Sequence, residues 1–200
     1  MQVEILDITT DSLFNISMAA RTCYNSRNKY DLEKRDDFIR GLIKSGHETP
    51  LEFADIIFDI RDISRSCSHQ LVRHRIASYC QMSQRYVNQE TNNYVIPHTL
   101  DYNKNNDEKS IIFENAIQNC RQAYKELLAL GVPKEDARYV LPEAMFTNIT
   151  VKFNFRSLRN FLKLRLDSHA QWEIRELANK IKDLIIEKGL KVLIEDLIKN

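Results

Sequence analysis

Glycine is scarce in this 200-residue chain, with only Gly41, Gly46, Gly131 and Gly189. None falls in a GxGxxG or Walker A spacing, so both glycine-rich phosphate cradles are excluded. Any phosphate must be held by arginines and by backbone amides outside such loops. An excess of charge is missing as well: 29 basic residues face 28 acidic ones, for a net charge of +1. A general nucleic-acid coat protein is far more basic, so nucleic acid is not an expected partner. The cysteines, Cys23, Cys67, Cys80 and Cys120, form no CxxC and have no histidine at zinc-ligand spacing. The expectation is therefore no metal and four reduced thiols in a cytoplasmic protein. The opening MQVEILDITTDS lacks a basic then apolar leader pattern. No apolar run approaches the roughly 20 residues of a membrane span, and no membrane association is expected.

What is present is ordinary globular composition, 43% hydrophobic and 28% charged. The length suits one domain, read as spanning 1–200. Residues 2–8 read as a strand, and Asp11 or Ser12 opens a helix to about Cys23. A second helix over 35–45 stops at Gly46. The stretch 53–61 alternates, with Ile56, Phe58 and Ile60 on one side, and reads as a strand. Asp62 then caps a helix expected to run through Arg75. A polar, aromatic stretch follows to Pro97, and 98–109 is an Asn/Asp-rich loop. Ile112, Ala116, Ile117, Cys120, Ala123, Tyr124, Leu127 and Leu128 form a helical apolar stripe, closed by Gly131-Val132-Pro133. Residues 145–154 alternate as a strand, Ser157 opens a helix to about Leu166, and 171–188 is a last amphipathic helix. The class is α+β.

Two segments depart from core-and-surface patterning. From Arg73 to Arg85, three arginines, a histidine and two serines lie within thirteen positions with no acidic residue among them. Arginine stays charged, so such a cluster faces water, an anion, or distant carboxylates. The guanidinium fork suits phosphate, with serine hydroxyls completing the cage. The second segment, NFRSLRNFLKLRLDSHA (154–170), carries Arg165 and His169 four apart, on one face if the helix persists. The same spacing equally describes a helix with an apolar side (Leu158, Phe161, Leu162) and a solvated charged side.

Arg73-His74-Arg75, then seven residues and Ser83, resembles the signature of the flavin-dependent thymidylate synthases. AAR at 19–21, GHETPLE at 46–52, ARYVLP at 137–142 and NFRSLRNFLKLRLDSHAQWEI at 154–174 resemble further blocks of that family, in its order. The resemblance implies a single mixed domain with a small antiparallel-type sheet packed against long helices. It also implies methylation of deoxyuridine monophosphate, with methylene-tetrahydrofolate as carbon donor, NADPH as reductant and FAD as hydride carrier. A homotetramer with shared active sites follows from the same resemblance.

By that match, Thr49, Arg73, His74, Arg75, Gln81, Asn154, Phe155, Arg156 and Asn160 are the FAD-binding positions. His47, beside Thr49, faces the flavin and folate site. The nucleotide-binding positions are Gln70, Leu71, Val72, Arg73, Gln81, Met82, Ser83, Gln84, Arg85 and Arg138. Arg165 corresponds to the residue that activates the uracil ring, by stabilising the charge that develops as N3 ionises rather than by removing a proton. His169 supports this arm. Three positions depart from the family pattern. Phe53 stands where a histidine is common, Cys80 where asparagine or serine is frequent, and Cys23 where a serine near the flavin phosphates is usual. Two other readings remain at this point. One is an RNA-binding module using Arg73, Arg75 and Arg85, with Tyr79 and Tyr86 as stacking platforms. The other is an inactive flavoprotein, at which only Phe53 hints.

Overall fold

A computed structural model of the chain describes residues 1–100 and 107–198. Of the loop expected over 98–109, residues 101–106 therefore lie outside the described residues. The elements are β1 (Gln2–Ile8), α1 (Ser12–Thr22), α2 (Arg35–Lys44), β2 (Asp55–Ser64), α3 (Arg65–Leu71) and β3 (Ala77–Gln81). They continue with α4 (Glu108–Ala129), α5 (Lys134–Ala137), β4 (Phe146–Asn154), α6 (Phe155–Arg165) and α7 (Trp172–Glu187). The strands form a four-stranded antiparallel sheet in the order β1-β2-β4-β3, so the α+β class holds.

The chain divides into two compact units. Unit 1 comprises Met1–Ile60, Gln70–Cys80 and Thr150–Asn200, and unit 2 comprises Arg61–His69 and Gln81–Ile149. In unit 1, the alternation read from 53–61 is realised as a β2 face with Ile56, Phe58 and Ile60 fully buried. Val151 and Phe153 of β4 bury the matching positions, and α7 adds Ile174, Leu177, Ile181 and Ile185. Side-chain alternation along a strand delivers these residues to one face, and the helical stripe of α7 covers apolar surface there. Unit 2 buries Ile63, Cys67, Ile117, Tyr124, Ala137, Met145 and Ile149.

Helix ends obey local chemistry. Gly46 follows α2 at φ +73, with its amide bonded to the Ile43 carbonyl and the His47 amide bonded to the Leu42 carbonyl. This is a Schellman closure, which a residue with a Cβ resists because φ is positive. It fixes where His47 leaves the helix. Gly131 closes α4 in the same way, as expected (φ +85; Gly131 amide to Leu128, Val132 amide to Leu127).

Several expectations need correction. Asp62 caps no helix: β2 runs on to Ser64, and the Asp62 amide donates to Asn148 Oδ1 at 3.1 Å. The helix expected through Arg75 is short, ending at Leu71, and the unexpected strand β3 follows. Ser157 does not open α6, because Asn154 is the cap and its side chain accepts from the Ser157 amide at 2.8 Å. Asp11 occupies the cap position of α1 in a left-handed conformation, without a side-chain cap bond. Helix α4 forms, but of its stripe only Ile117 and Tyr124 are buried, and Ile112 is 62% exposed. An amphipathic stripe is buried only as far as something packs on it. The four cysteines are free.

Candidate active site

In unit 1 the turn after α3 is built around one tyrosine. The Tyr79 hydroxyl lies 3.0 Å from the Leu71 carbonyl and 2.7 Å from the His74 carbonyl. Its ring meets Phe153 edge-on at 6.2 Å. Burial pushes the phenol up to about 12, so it remains a donor at any ordinary pH. The backbone between these carbonyls is thereby pinned, and Ile76 completes the turn at φ +63.

The motif residues divide on this turn. Leu71 and His74 point into unit 1, the first fully buried and the second 7% exposed, while Val72, Arg73 and Arg75 are exposed. The His74 ring sits edge-to-face on Phe161 at 5.0 Å. Arg165, on the last turn of α6, donates from Nε to His74 Nε2 at 3.0 Å. An arginine only donates, so His74 Nε2 is the acceptor and the neutral ring carries its proton on Nδ1. Burial, aided by the Arg165 charge, lowers the His74 pKa to about 4. With Nε engaged, Arg165 has its two terminal amino groups free to face a ligand.

Arg73 and Arg75 form no ion pair with a carboxylate among the described residues, so the reading of a basic turn paired to distant acids fails for them. It holds for Arg85 in unit 2, which meets Glu135 at 3.0 Å. Two unpaired guanidinium groups on a fixed turn suit a polyanionic ligand such as a diphosphate, and FAD fits on that ground. Elsewhere in unit 1 the positions expected to hold the cofactor are unevenly available. Asn160 is exposed, and Asn154 has spent its side-chain oxygen on the cap. Arg156 is held by Glu52 at 2.6 Å, with Glu48 at 4.0 Å. Phe155 and Leu71 are fully buried, so neither presents surface to a ligand. Gln70 is half-buried and His47 exposed. His169 does not share a face with Arg165: α6 ends at Arg165, and the His169 ring is exposed against Asp167 at 2.8 Å.

A cleft of about 500 Å³ in unit 1 is lined by Thr49, Pro50, Phe53, Met18, Ala19 and Cys23, among others. Two of the three departures from the family pattern, Phe53 and Cys23, thus lie on the same cleft as Thr49. Met18 was passed over in the sequence, where its α1 spacing reads as core.

In unit 2, Gln81 turns inward and donates to Ser68 Oγ (2.8 Å) and Thr147 Oγ1 (3.2 Å). Met82 and Ser83 are half-buried, and the Met82 amide bonds the Asn148 carbonyl at 2.9 Å. Gln84 and Arg138 line a cleft of about 390 Å³ with Arg65, His69, Tyr139 and Glu143. Arg65 was missed because it reads as a solvated helix residue. Its burial lowers its pKa, and the nearby Arg138 charge adds to this while Glu143 opposes it. Among the described residues no group of His, Cys, Asp or Glu is arranged to hold a metal ion. None of the described helices is long and apolar enough to cross a membrane.

The family model described as "Thymidylate synthase complementing protein" (Thy1) matches residues 4–188. The chain belongs to this family. It is similar to the flavin-dependent thymidylate synthase of Geobacter sulfurreducens, 42% identical over 92% of this chain and 82% of the relative. The enzymes of that name from Clostridium tetani (37% over 90% of this chain and 80% of the relative) and Pyrococcus abyssi (38% over 94% and 80%) match over a similar span. Against this family background the RNA-binding reading loses its basis. Tyr79, one of its two stacking platforms, is committed by its hydroxyl and its ring to unit 1.

Proposed function

We propose that the chain is a flavin-dependent thymidylate synthase that methylates deoxyuridine monophosphate. Methylene-tetrahydrofolate is the carbon donor and NADPH the reductant. The observation that carries this reading is the turn bearing unpaired Arg73 and Arg75 beside an Arg165 held by a neutral His74. When bound, FAD supplies hydride transfer. Arg73 and Arg75 would hold its phosphates, Asn160, Arg156 and Thr49 would be further contacts, and His47 would serve the folate side. Asn154, Phe155 and His74 shape that surface from behind. Nucleotide positions in unit 1 are Gln70, Leu71, Val72 and Arg73, the second lying beneath the surface that the others form. Those in unit 2 are Gln81 to Arg85 and Arg138.

Arg165 has the catalytic role. Its guanidinium cannot accept a proton at neutral pH, so it acts by stabilising negative charge on the uracil as N3 ionises. That enriches C5, the carbon that attacks the donor. His74 keeps the guanidinium aimed, and because the ring is neutral it adds no competing positive charge. We place the protein in the cytoplasm, as one domain assembled into a homotetramer. The test is an anaerobic turnover assay with all substrates, following tritium release from position 5 of the nucleotide. Release that depends on FAD and folate supports the reading, and no release with every substrate present refutes it.

A further inference from the structure

One ion pair in unit 1, of a buried arginine with a partly exposed aspartate, belongs to none of the positions above. Arg159, on α6, has a side chain only 6% exposed. It is bidentate to Asp196 (Nη1 to Oδ1 2.7 Å, Nη2 to Oδ2 2.8 Å) and donates to the Leu193 carbonyl at 2.6 Å. Its remaining donor, Nε, reaches Glu48 Oε1 at 3.4 Å. Glu48 stands between His47 and Thr49, and its other oxygen faces Arg156 at 4.0 Å. The bond from Arg159 holds the Asp196 carboxyl below the usual carboxylate range despite partial burial. A buried guanidinium has few alternative partners, so it fixes whatever it touches. The C-terminal segment is tied down a second time, by Glu195 to Arg40 of α2 at 2.5 Å.

We infer that Arg159 and Asp196 are positioning residues, through which the C-terminal segment holds Glu48 and so sets the placement of His47 and Thr49. The inference rests on the proposed function for its consequence, since His47 and Thr49 face the flavin in that reading. A side chain at 196 then governs cofactor affinity without touching the cofactor. In Asp196→Asn the bidentate acceptor is lost, so Arg159 is no longer held in the orientation from which its Nε reaches Glu48.

Two measurements on the full chain test this. Amide hydrogen exchange needs no flavin: in Asp196→Asn, exchange at the His47 and Leu51 amides, which bond Leu42 and Glu48, should rise about tenfold with protection over β1 unchanged. FAD titration should show about a tenfold weaker Kd in Asp196→Asn and in Glu48→Gln. The double variant should be no weaker than the worse single, as expected for residues acting in series. Asp196→Glu should restore most of both readouts. Unaltered exchange at His47 and Leu51 overturns the inference, as does a double variant whose loss is the product of the two singles. If the parent itself binds no FAD, the proposed function fails, and the exchange result alone decides the positioning role.

Discussion

Replacing His74 with glutamine tests the pairing that orients Arg165. In the parent, the ring is buried against Phe161 with its Nε2 accepting from Arg165, and its pKa is lowered from 6.5 to about 4. The sign follows from proton uptake. Between those values the unfolded chain binds a proton at His74 and the folded chain does not, so stability falls as pH falls. The contribution is fully present above pH 6.5 and is lost on the way down to pH 4. From the two pKa values, the loss between pH 7.5 and 4.5 is roughly 2 to 3 kcal/mol for this group alone. Other carboxylates and histidines titrate in the same range, but they do so in both proteins and cancel in the difference. His74→Gln retains an acceptor for Arg165 and removes the titration. The assay is urea unfolding of both proteins at pH 7.5, 6.0 and 4.5. The gap between the two curves should shift by roughly 2 to 3 kcal/mol toward the variant at low pH. Curves that stay parallel would refute a buried, neutral His74. The ring's own chemical shift, followed by NMR, should titrate near pH 4.

Four further outcomes follow. Arg73→Ala and Arg75→Ala should each weaken FAD binding by roughly 10- to 100-fold, the worth of a charge-assisted bond; unchanged affinity in both, read by flavin titration, sinks the phosphate assignment. Arg165→Ala should keep most of the flavin and lose about 10²- to 10³-fold in kcat, with lysine rescuing poorly for want of the planar fork; full thymidylate formation in the alanine variant moves the catalytic role elsewhere. Cys80→Ser should retain most turnover, because hydride delivery to the nucleotide needs no thiolate adduct; a covalent nucleotide at the exposed Cys80, found by mass spectrometry, shows that mechanism wrong. Light scattering should give a tetramer, and a monomer active at assay concentration removes the shared-site idea.

How far the sequence was legible depended on whether one local rule acted alone. β4 and the first part of β2 were readable because their alternation has no rival reading. The ends of α2 and α4 were readable because glycine at positive φ leaves few options. Errors arose where two rules competed. Asn154 and Ser157 are both good caps three residues apart, and the earlier one wins because its oxygen reaches the Ser157 amide. Asp62 looked like a cap, but its amide is taken by the Asn148 side chain, so the strand continues. β3 was hidden because Ala77, Tyr79 and Gln81, which alternate with the more exposed Ser78 and Cys80, lie in a segment dominated by its charges.

The site shows the same division at finer grain. Charge counting singled out Arg73, Arg75 and Arg85 alike, yet a guanidinium already paired to a carboxylate must share or exchange that partner before it meets a ligand. Glu135 claims Arg85 from fifty residues away, and Glu52 claims Arg156 across more than a hundred. Such pairings are invisible to spacing, because only the fold sets which acid arrives. What leaves Arg73 and Arg75 unpaired is the turn itself. Tyr79 gathers the carbonyls of Leu71 and His74, and that draws Leu71 and His74 inward while the intervening and following arginines stay in solvent. The neutral histidine between them serves both ends, packing its ring on Phe161 and offering its free nitrogen to Arg165. In this arrangement the middle residue of the Arg-His-Arg run orients Arg165, the proposed catalytic arm, and the two outer residues carry the charge. A protonated residue at position 74 would repel Arg165 and a purely apolar one would leave its Nε without an acceptor, so the turn requires a side chain that is both neutral and accepting.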